Sequence, residues 1–187
     1  MIRLRKVKNR PVADLTRDGI TGTTPARSVR DQVAELGGTK VVAARMGRSE
    51  RTIRRWAHND TVPARGGARE HFQLEVASHR ATPAYRRSQL NPRREKRMRG
   101  YGARLKFSGV AGPINDSSAA SFKRRNIDFD LSPAALNDIL DAYLTDGDQA
   151  AVDALGRALA GEYMQTVNYG WQFAPEAKAV DFLRHLT

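Results

Sequence analysis

The chain has 187 residues, of which 32 are lysine or arginine and 20 are aspartate or glutamate, so its formal net charge at pH 7 is +12. A field of this sign attracts polyanions and repels basic partners, which makes nucleic acid the expected ligand. The absence of cysteine excludes disulfide frameworks, thiolate zinc sites and cysteine nucleophiles.

The positive charge is distributed unevenly along the chain. From Leu131 onward there are three basic and eight acidic residues, a net charge of −5, which leaves +17 on residues 1–130. This segregation predicts a nucleic-acid-binding face in the first two thirds and a packing or partner-binding role for the acidic remainder. Neither a secretory leader nor a run of roughly 20 apolar residues is present, so we expect a cytoplasmic, nucleoid-associated protein.

The first 80 residues combine a basic segment with a series of helices. Residues 1–25 mix basic residues with glycine and proline without a sustained period, which predicts a flexible basic arm. Residues 26–80 are predicted to form a helical DNA-binding domain, because apolar residues recur there at helical spacing. The predicted helices run from Ala26 to Gly37, from Thr39 to Gly47, from Ser49 to Asn59 and roughly from residue 67 to residue 80.

The strongest local signal is the segment TKVVAARMGRSERTIRRW, residues 39–56. A small residue at Ala43 allows two helices to cross closely, and Gly47 allows a tight turn with a positive φ. Ile53 and Trp56 are spaced to anchor the second helix against the first. This pattern predicts a helix-turn-helix that docks on duplex DNA.

The predicted DNA contacts lie on the outer face of the second helix and at its N-terminus, where recognition helices meet base edges and phosphates. They are Arg48, Ser49, Arg51, Arg54 and Arg55. Arg51 and Arg54 are the predicted guanine readers, since arginine pairs with guanine through two hydrogen bonds. The alternative is an ordinary three-helix bundle with a solvated basic face.

A dense run of positive charge follows over residues 81–100, which we interpret as a basic connector. Like charges at this density repel one another unless an anion lies against them. The predicted phosphate contacts are Arg86, Arg87, Arg93, Arg94, Lys96 and Arg97. A solvated basic linker is the alternative.

Residues 101–187 are predicted to form a small strand-and-helix domain. Alternating side chains indicate half-buried strands at Ala103–Ser108 and Asn126–Leu131, with a third short strand at Trp171–Phe173. Two helices separated near Asp146 are predicted to form a hairpin that covers the strands. The predicted fold class is therefore α+β, mainly α: an N-terminal helix-turn-helix bundle followed by a small domain of two or three strands with a helical hairpin.

The sequence lacks a Gly-rich phosphate loop, a nucleophile elbow and a metalloprotease pair, so we expect neither a self-contained enzyme nor a cofactor. Asp128 and Asp130 share one strand face and would suit a divalent metal in a nuclease, although the polar side of an amphipathic strand explains them as well. His71 and His79 lie eight positions apart, without the spacing of two ligands on one helix. No metal site is therefore expected.

The segment LGGTKVVAARMGRSERTIRRW resembles the start of the terminal proteins that cap the linear chromosomes and plasmids of Streptomyces. Later features keep the same order: a basic helix, GARLKFSG, a small-residue loop, NIDFDLSP and a helix pair with ALAGEYMQ. The resemblance covers roughly residues 26–187 and is looser after Pro63. It implies that the protein binds telomeric double-stranded DNA together with a DNA polymerase and a telomere-associated protein, and primes replication through a side-chain hydroxyl.

The resemblance also implies a position for that hydroxyl. It must attack a nucleotide α-phosphate inside a polymerase, which supplies the metals, so an accessible loop is required. The family uses a threonine in a central Gly/Pro-containing loop, whereas the matching segment here, AGPINDSSAAS, has none. Ser118 or Ser117 is the implied acceptor, with Ser121 third; capping of a turn or helix is the alternative for these serines.

A second function is compatible with the same residues. A helix-turn-helix transcriptional regulator, or a plasmid replication or partition factor, would bind DNA through the same helices without priming. A homo-oligomer is compatible with either function.

Overall fold

The computed structural model describes residues 8–113, 122–163 and 171–184. These residues are mainly helical and include a four-stranded antiparallel sheet, which confirms the predicted α+β class. The chain divides into two compact units. The helical unit is Thr24–Tyr85, and the sheet unit combines Met1–Thr23 with Arg86–Thr187. None of the helices in the described ranges has both the length and the apolar character that a membrane crossing requires.

The elements follow one another in chain order. They are β1 (Arg10–Pro11), α1 (Val12–Thr21), α2 (Val29–Glu35), α3 (Thr39–Met46), α4 (Glu50–His58), a 3-10 turn (Arg65–Gly67), α5 (Ala68–Arg80), α6 (Pro83–Gln89), α7 (Pro92–Tyr101), β2 (Ala103–Pro113), β3 (Lys123–Leu131), α8 (Pro133–Asp146), α9 (Asp148–Ala158), a π-helical turn (Leu159–Tyr163) and β4 (Trp171–Leu183). The four helices predicted over residues 26–80 are thus present as α2 to α5.

The helical unit is held together by an apolar core and by polar contacts at helix ends. Its core contains side chains from α2 to α5, of which Ile53 and Phe72 are completely buried. At the C-terminal end of α5, Arg80 donates two hydrogen bonds to the Glu35 carboxylate, with N–O distances of 2.6 and 2.9 Å. This two-bonded geometry is stronger and more directional than a single contact and joins α5 to α2.

The sheet unit has the strand order β1-β4-β2-β3. In the register of the central strand β2, Phe107 lies opposite Ile127 of β3 and Val180 of β4, so their side chains share one buried face. The helical hairpin α8–α9 belongs to the same apolar core. The predicted strands at 103–108 and 126–131 are confirmed and extend further, while Trp171 lies in a thirteen-residue strand instead of a short one.

The prediction of a flexible arm over residues 1–25 is wrong for residues 10–21. These residues form β1 and α1, and Val12, Leu15 and Ile20 of α1 are buried in the core of the sheet unit. Gly19 packs so closely on β4 that an added Cβ would lie 2.8 Å from the Val180 carbonyl oxygen. The apolar face of α1 is short and packs mainly on β4 and α9, which lie far along the chain. The local pattern therefore does not reveal its role.

The prediction of a basic connector over residues 81–100 is also wrong. This segment forms α6 and α7, and both Leu90 and Met98 are buried in the core of the sheet unit. Asn91 caps α7 by accepting hydrogen bonds from two backbone amides, and Pro92 occupies the first helical position, where its missing N–H costs nothing. The sequence analysis predicted two domain boundaries here, near residues 80 and 101. The structure has a single boundary instead, between Tyr85 and Arg86 within α6.

Candidate nucleic-acid interface

A three-residue turn, Gly47 to Ser49, joins α3 to α4. Gly47 ends α3 with φ 60° and ψ 36°, a left-handed conformation that glycine adopts without steric cost. Ser49 then adopts an extended conformation, and its hydroxyl accepts a hydrogen bond from the Thr52 amide at 3.2 Å. The side-chain cap satisfies one of the free amides at the start of α4 and defines where the helix begins.

The inner faces of the two helices have the predicted composition. Ala43 of α3 is buried, and its small side chain suits a close helix crossing. On α4, Ile53 is completely buried and Trp56 is 4% exposed. The predicted inward-facing positions are therefore confirmed as core positions.

The opposite face of α4 and the preceding turn are open to solvent. The predicted DNA contacts Arg48, Ser49, Arg51, Arg54 and Arg55 are all exposed. Ser49 uses its hydroxyl to cap the helix and lies 2.9 Å from the Thr52 hydroxyl, so its first role is structural. The four arginines present a strongly basic surface, which we call the α4 surface.

Glu50 lies beside the α4 surface, and the sequence prediction missed its role. Its carboxylate oxygen Oε1 accepts a hydrogen bond from the Thr39 hydroxyl at 2.8 Å and another from Arg54 Nη2 at 2.6 Å. Gly38 occupies the N-cap position of α3, and the Thr39 side chain ties α3 to α4. The i, i+4 spacing of Glu50 and Arg54 was the signal in the sequence.

The two hydrogen bonds stabilise the charged form of Glu50. The bond from Thr39 lowers the pKa of the carboxyl most, and the bond from Arg54 lowers it further. The carboxylate is thus held ionised, and it restrains the guanidinium of Arg54 at the start of α4.

We expect that Glu50→Gln lowers the unfolding temperature of the helical unit at neutral pH, because the amide cannot form the ion pair with Arg54. A carboxyl with a lowered pKa stabilises the fold above its unfolded value of roughly 4.3, and this stabilisation is lost as the pH falls through the folded pKa. The difference from wild type should therefore disappear in acid. Thermal unfolding at several pH values measures it.

Glu70→Gln provides the control for that measurement, because Glu70 is exposed on α5 and makes no ion pair within the described residues. A difference between Glu50→Gln and wild type that stays constant from neutral to acid pH would contradict the assigned role of the carboxylate.

Arg54 also lines a depression of about 530 Å³ on the helical unit. The depression lies against α2 and α4, and Arg30 and His58 contribute to its rim. Basic character therefore extends from the α4 surface toward α2.

Two of the predicted phosphate contacts from the 81–100 segment are internal, which corrects their assignment. Arg86 is 8% exposed and donates from Nη1 to the carbonyl oxygens of Tyr143 and Leu144, in the last turn of α8. Arg94 donates to the carbonyl oxygens of Gly19, Ile20 and Phe182. Both guanidinium groups satisfy carbonyls at the ends of helices or strands, so they act as internal hydrogen-bond donors.

The other four predicted phosphate contacts of that segment differ in whether they form an ion pair. Arg87 pairs with Glu95 at 2.8 Å on the surface. Burial raises the pKa of Glu95, but the hydrogen bonds from Arg87 and Arg99 outweigh it and leave the pKa below its usual value. Arg93, Lys96 and Arg97 form no ion pair with any residue that the structure describes.

The predicted nucleotide acceptors Ser117, Ser118 and Ser121 lie outside the described residues. Their segment joins β2 to β3, whose adjoining ends are paired at Ala111 and Lys123. On the outer face of this hairpin, Asp128 accepts a hydrogen bond from Arg104 at 2.5 Å. No group of three or more metal-ligating side chains occurs in the described ranges, so the nuclease alternative gains no support from Asp128 and Asp130.

Comparison with protein-family models, with curated proteins and with solved structures finds no match for this chain.

Proposed function

We propose that this protein binds duplex DNA by inserting α4 into the major groove. The observation that carries the proposal is the division of α4 into a buried face with Ile53 and Trp56 and an exposed face with Arg51, Arg54 and Arg55. An α-helix with its side chains is about 10–12 Å across, and the major groove is about 12 Å wide. The size and charge of the exposed face therefore suit the groove.

The positions of the arginines suggest separate roles. Arg51 and Arg54 are three residues apart and so lie on one side of the helix, where both reach base edges in the proposed complex. Arg48 lies in the turn before the helix and Arg55 lies one position beyond Arg54, which suits contacts to the phosphates on either side. Glu50 limits the motion of the Arg54 side chain before DNA binds. The side chain therefore loses less conformational entropy when the complex forms.

Selection from a random duplex library tests the proposal directly. The wild-type protein is expected to enrich a short motif that contains guanine at one or two fixed positions, because base contacts specify the sequence and phosphate contacts do not. Binding without any enriched motif, with an affinity that depends only on salt concentration, would contradict sequence reading by α4.

We further propose that the protein acts as a terminal protein of a linear replicon. Two features support this reading: the resemblance of residues 36–56 to such proteins, and the place of residues 114–121 in the sequence between β2 and β3, whose adjoining ends are paired. A serine hydroxyl of this segment would attack the α-phosphorus of a deoxynucleoside triphosphate within the polymerase. A phosphoester forms, pyrophosphate leaves, and the hydroxyl proton passes to a base in the polymerase.

Mass spectrometry of protein purified with its replicon distinguishes priming from simple regulation. After nuclease digestion, the peptide that contains Ser117, Ser118 and Ser121 is expected to carry the mass of one nucleotide. Ser118→Ala and Ser117→Ala variants then identify the acceptor. Exclusively unmodified peptides from replicon-bound protein would favour a regulator or a replication or partition factor that binds DNA without priming.

A further inference from the structure

The sheet unit contains a cleft of about 610 Å³, and every described residue that lines it belongs to that unit. Its walls are the C-terminal end of α1, the segment between α6 and α7, the first turns of α7 and Arg184 beyond β4. Four arginines line it, namely Arg93, Arg94, Arg97 and Arg184. No acidic residue is among the described residues that line it.

Arg94 forms the fixed base of this cleft. Its three hydrogen bonds to backbone carbonyls hold the guanidinium in place, and its side chain packs beside Gly22. Burial lowers the pKa of Arg94 most, and the positive charge of Arg97 lowers it further, while Asp181 acts in the opposite direction. The fold therefore keeps a cation here against the repulsion of its neighbour.

Arg93 and Arg97 remain without an acidic partner among the described residues. They lie four positions apart on α7, where two like charges repel each other. The Nε atom of Arg97 is buried and has no hydrogen-bond acceptor in the described structure. A buried donor without an acceptor is unusual in a folded protein, and the side chain to which it belongs lines the cleft.

We propose that this cleft binds phosphate groups. Guanidinium groups bind phosphate oxygens through paired, charge-assisted hydrogen bonds, and the cleft offers Arg93, Arg97 and Arg184 for this purpose around the fixed charge of Arg94. Thr23 and Ser88 add hydroxyl groups to the walls. The phosphates belong either to a nucleic-acid strand or to a free nucleotide, and the site operates independently of base reading by α4.

Calorimetric titration of the full chain with inorganic pyrophosphate tests the cleft. The double variant Arg93→Gln, Arg97→Gln is expected to bind pyrophosphate at least about tenfold more weakly than wild type, since it loses two charge-assisted contacts. Arg184→Gln changes one exposed side chain after β4 and should weaken binding in the same direction by a smaller factor. Arg94 is left unchanged because it supports the fold.

The matched control is Arg157→Gln, Lys178→Gln, which removes the same charge from exposed positions of the sheet unit outside the cleft. The control should bind pyrophosphate like wild type, and so should Arg51→Ala, Arg54→Ala, which separates this site from the α4 surface. Equal weakening in the cleft variant and the charge control would overturn the proposal, as would unchanged binding in both the cleft double variant and Arg184→Gln.

Two further ligands identify the source of the phosphate. A single-stranded oligothymidylate that binds more tightly than thymidine triphosphate supports a nucleic-acid strand, and the double variant should then reduce the salt slope by about 0.7 for each lost contact. Tighter binding of the triphosphate supports a free nucleotide. Failure of both ligands to compete with pyrophosphate would overturn the assignment to nucleotide phosphates.

Discussion

Replacing both Arg51 and Arg54 with alanine is expected to weaken binding to the selected duplex by roughly 30-fold to 10⁴-fold. Each bidentate contact to guanine contributes about 1–3 kcal/mol of discrimination, and every 1.4 kcal/mol is a factor of about ten. Both side chains are exposed, and neither supports the apolar core of the helical unit. Arg54→Ala also removes the ion pair with Glu50, so fluorescence anisotropy at one fixed salt concentration is measured well below the unfolding temperature of the variant.

The control double variant is Arg27→Ala, Arg65→Ala, which removes the same charge from exposed positions of the helical unit outside α4. It should reduce affinity for all sequences alike, through the salt-dependent phosphate term alone. Equal losses in the two double variants would show that net charge, and not α4, determines binding. Arg54→Ala alone should relax the preference at a single base pair.

Phe72→Ala is expected to destabilise the helical unit by about 3–5 kcal/mol, because it removes a large side chain from a tightly packed core. Phe72 of α5 is completely buried beside residues of α2 to α4. A small domain has only about 5–15 kcal/mol of unfolding free energy, so this loss leaves a marginal unit. Specific DNA binding should fall with it, although no residue of the α4 surface changes.

Leu74→Ala is the matched control on the same helix, because Leu74 is 65% exposed. It should change the unfolding free energy by less than about 0.5 kcal/mol. Hydrogen exchange locates the effect: in Phe72→Ala, amides of α2 to α5 should lose protection while those of β2 keep it. Equal loss of protection in both units would contradict their division into two packed cores.

A high arginine content does not by itself measure the size of the surface that could bind an anion. Arg17 pairs with Asp14, Asp18 and Asp148, and Arg80 pairs with Glu35. Arg86 and Arg94 satisfy backbone carbonyls in the interior of the sheet unit. These arginines contribute to the net charge but act mainly in folding, so the net charge overstates the positive charge that is available to an anion.

The sequence alone was sufficient for the elements whose signals are local. The left-handed turn at Gly47, the cap at Ser49 and the inward positions Ile53 and Trp56 each depend on residues within one or two helical turns. The alternation in β2 and β3 likewise follows from the two-residue period of a half-buried strand. The residues that cause each of these features are neighbours in the sequence, so the sequence pattern is enough to predict the feature.

Only the tertiary structure decided the role of the basic residues and of the chain's first segment. The sequence does not show whether an arginine donates hydrogen bonds to backbone carbonyls or lies in solvent. Arg86 and Arg94 could therefore not be distinguished from Arg93 until the fold placed the carbonyl groups of Tyr143 and Phe182 beside them. Likewise, α1 is stabilised by burial against β4, far along the chain. Burial and partner distance depend on contacts between remote residues, and no local spacing encodes them.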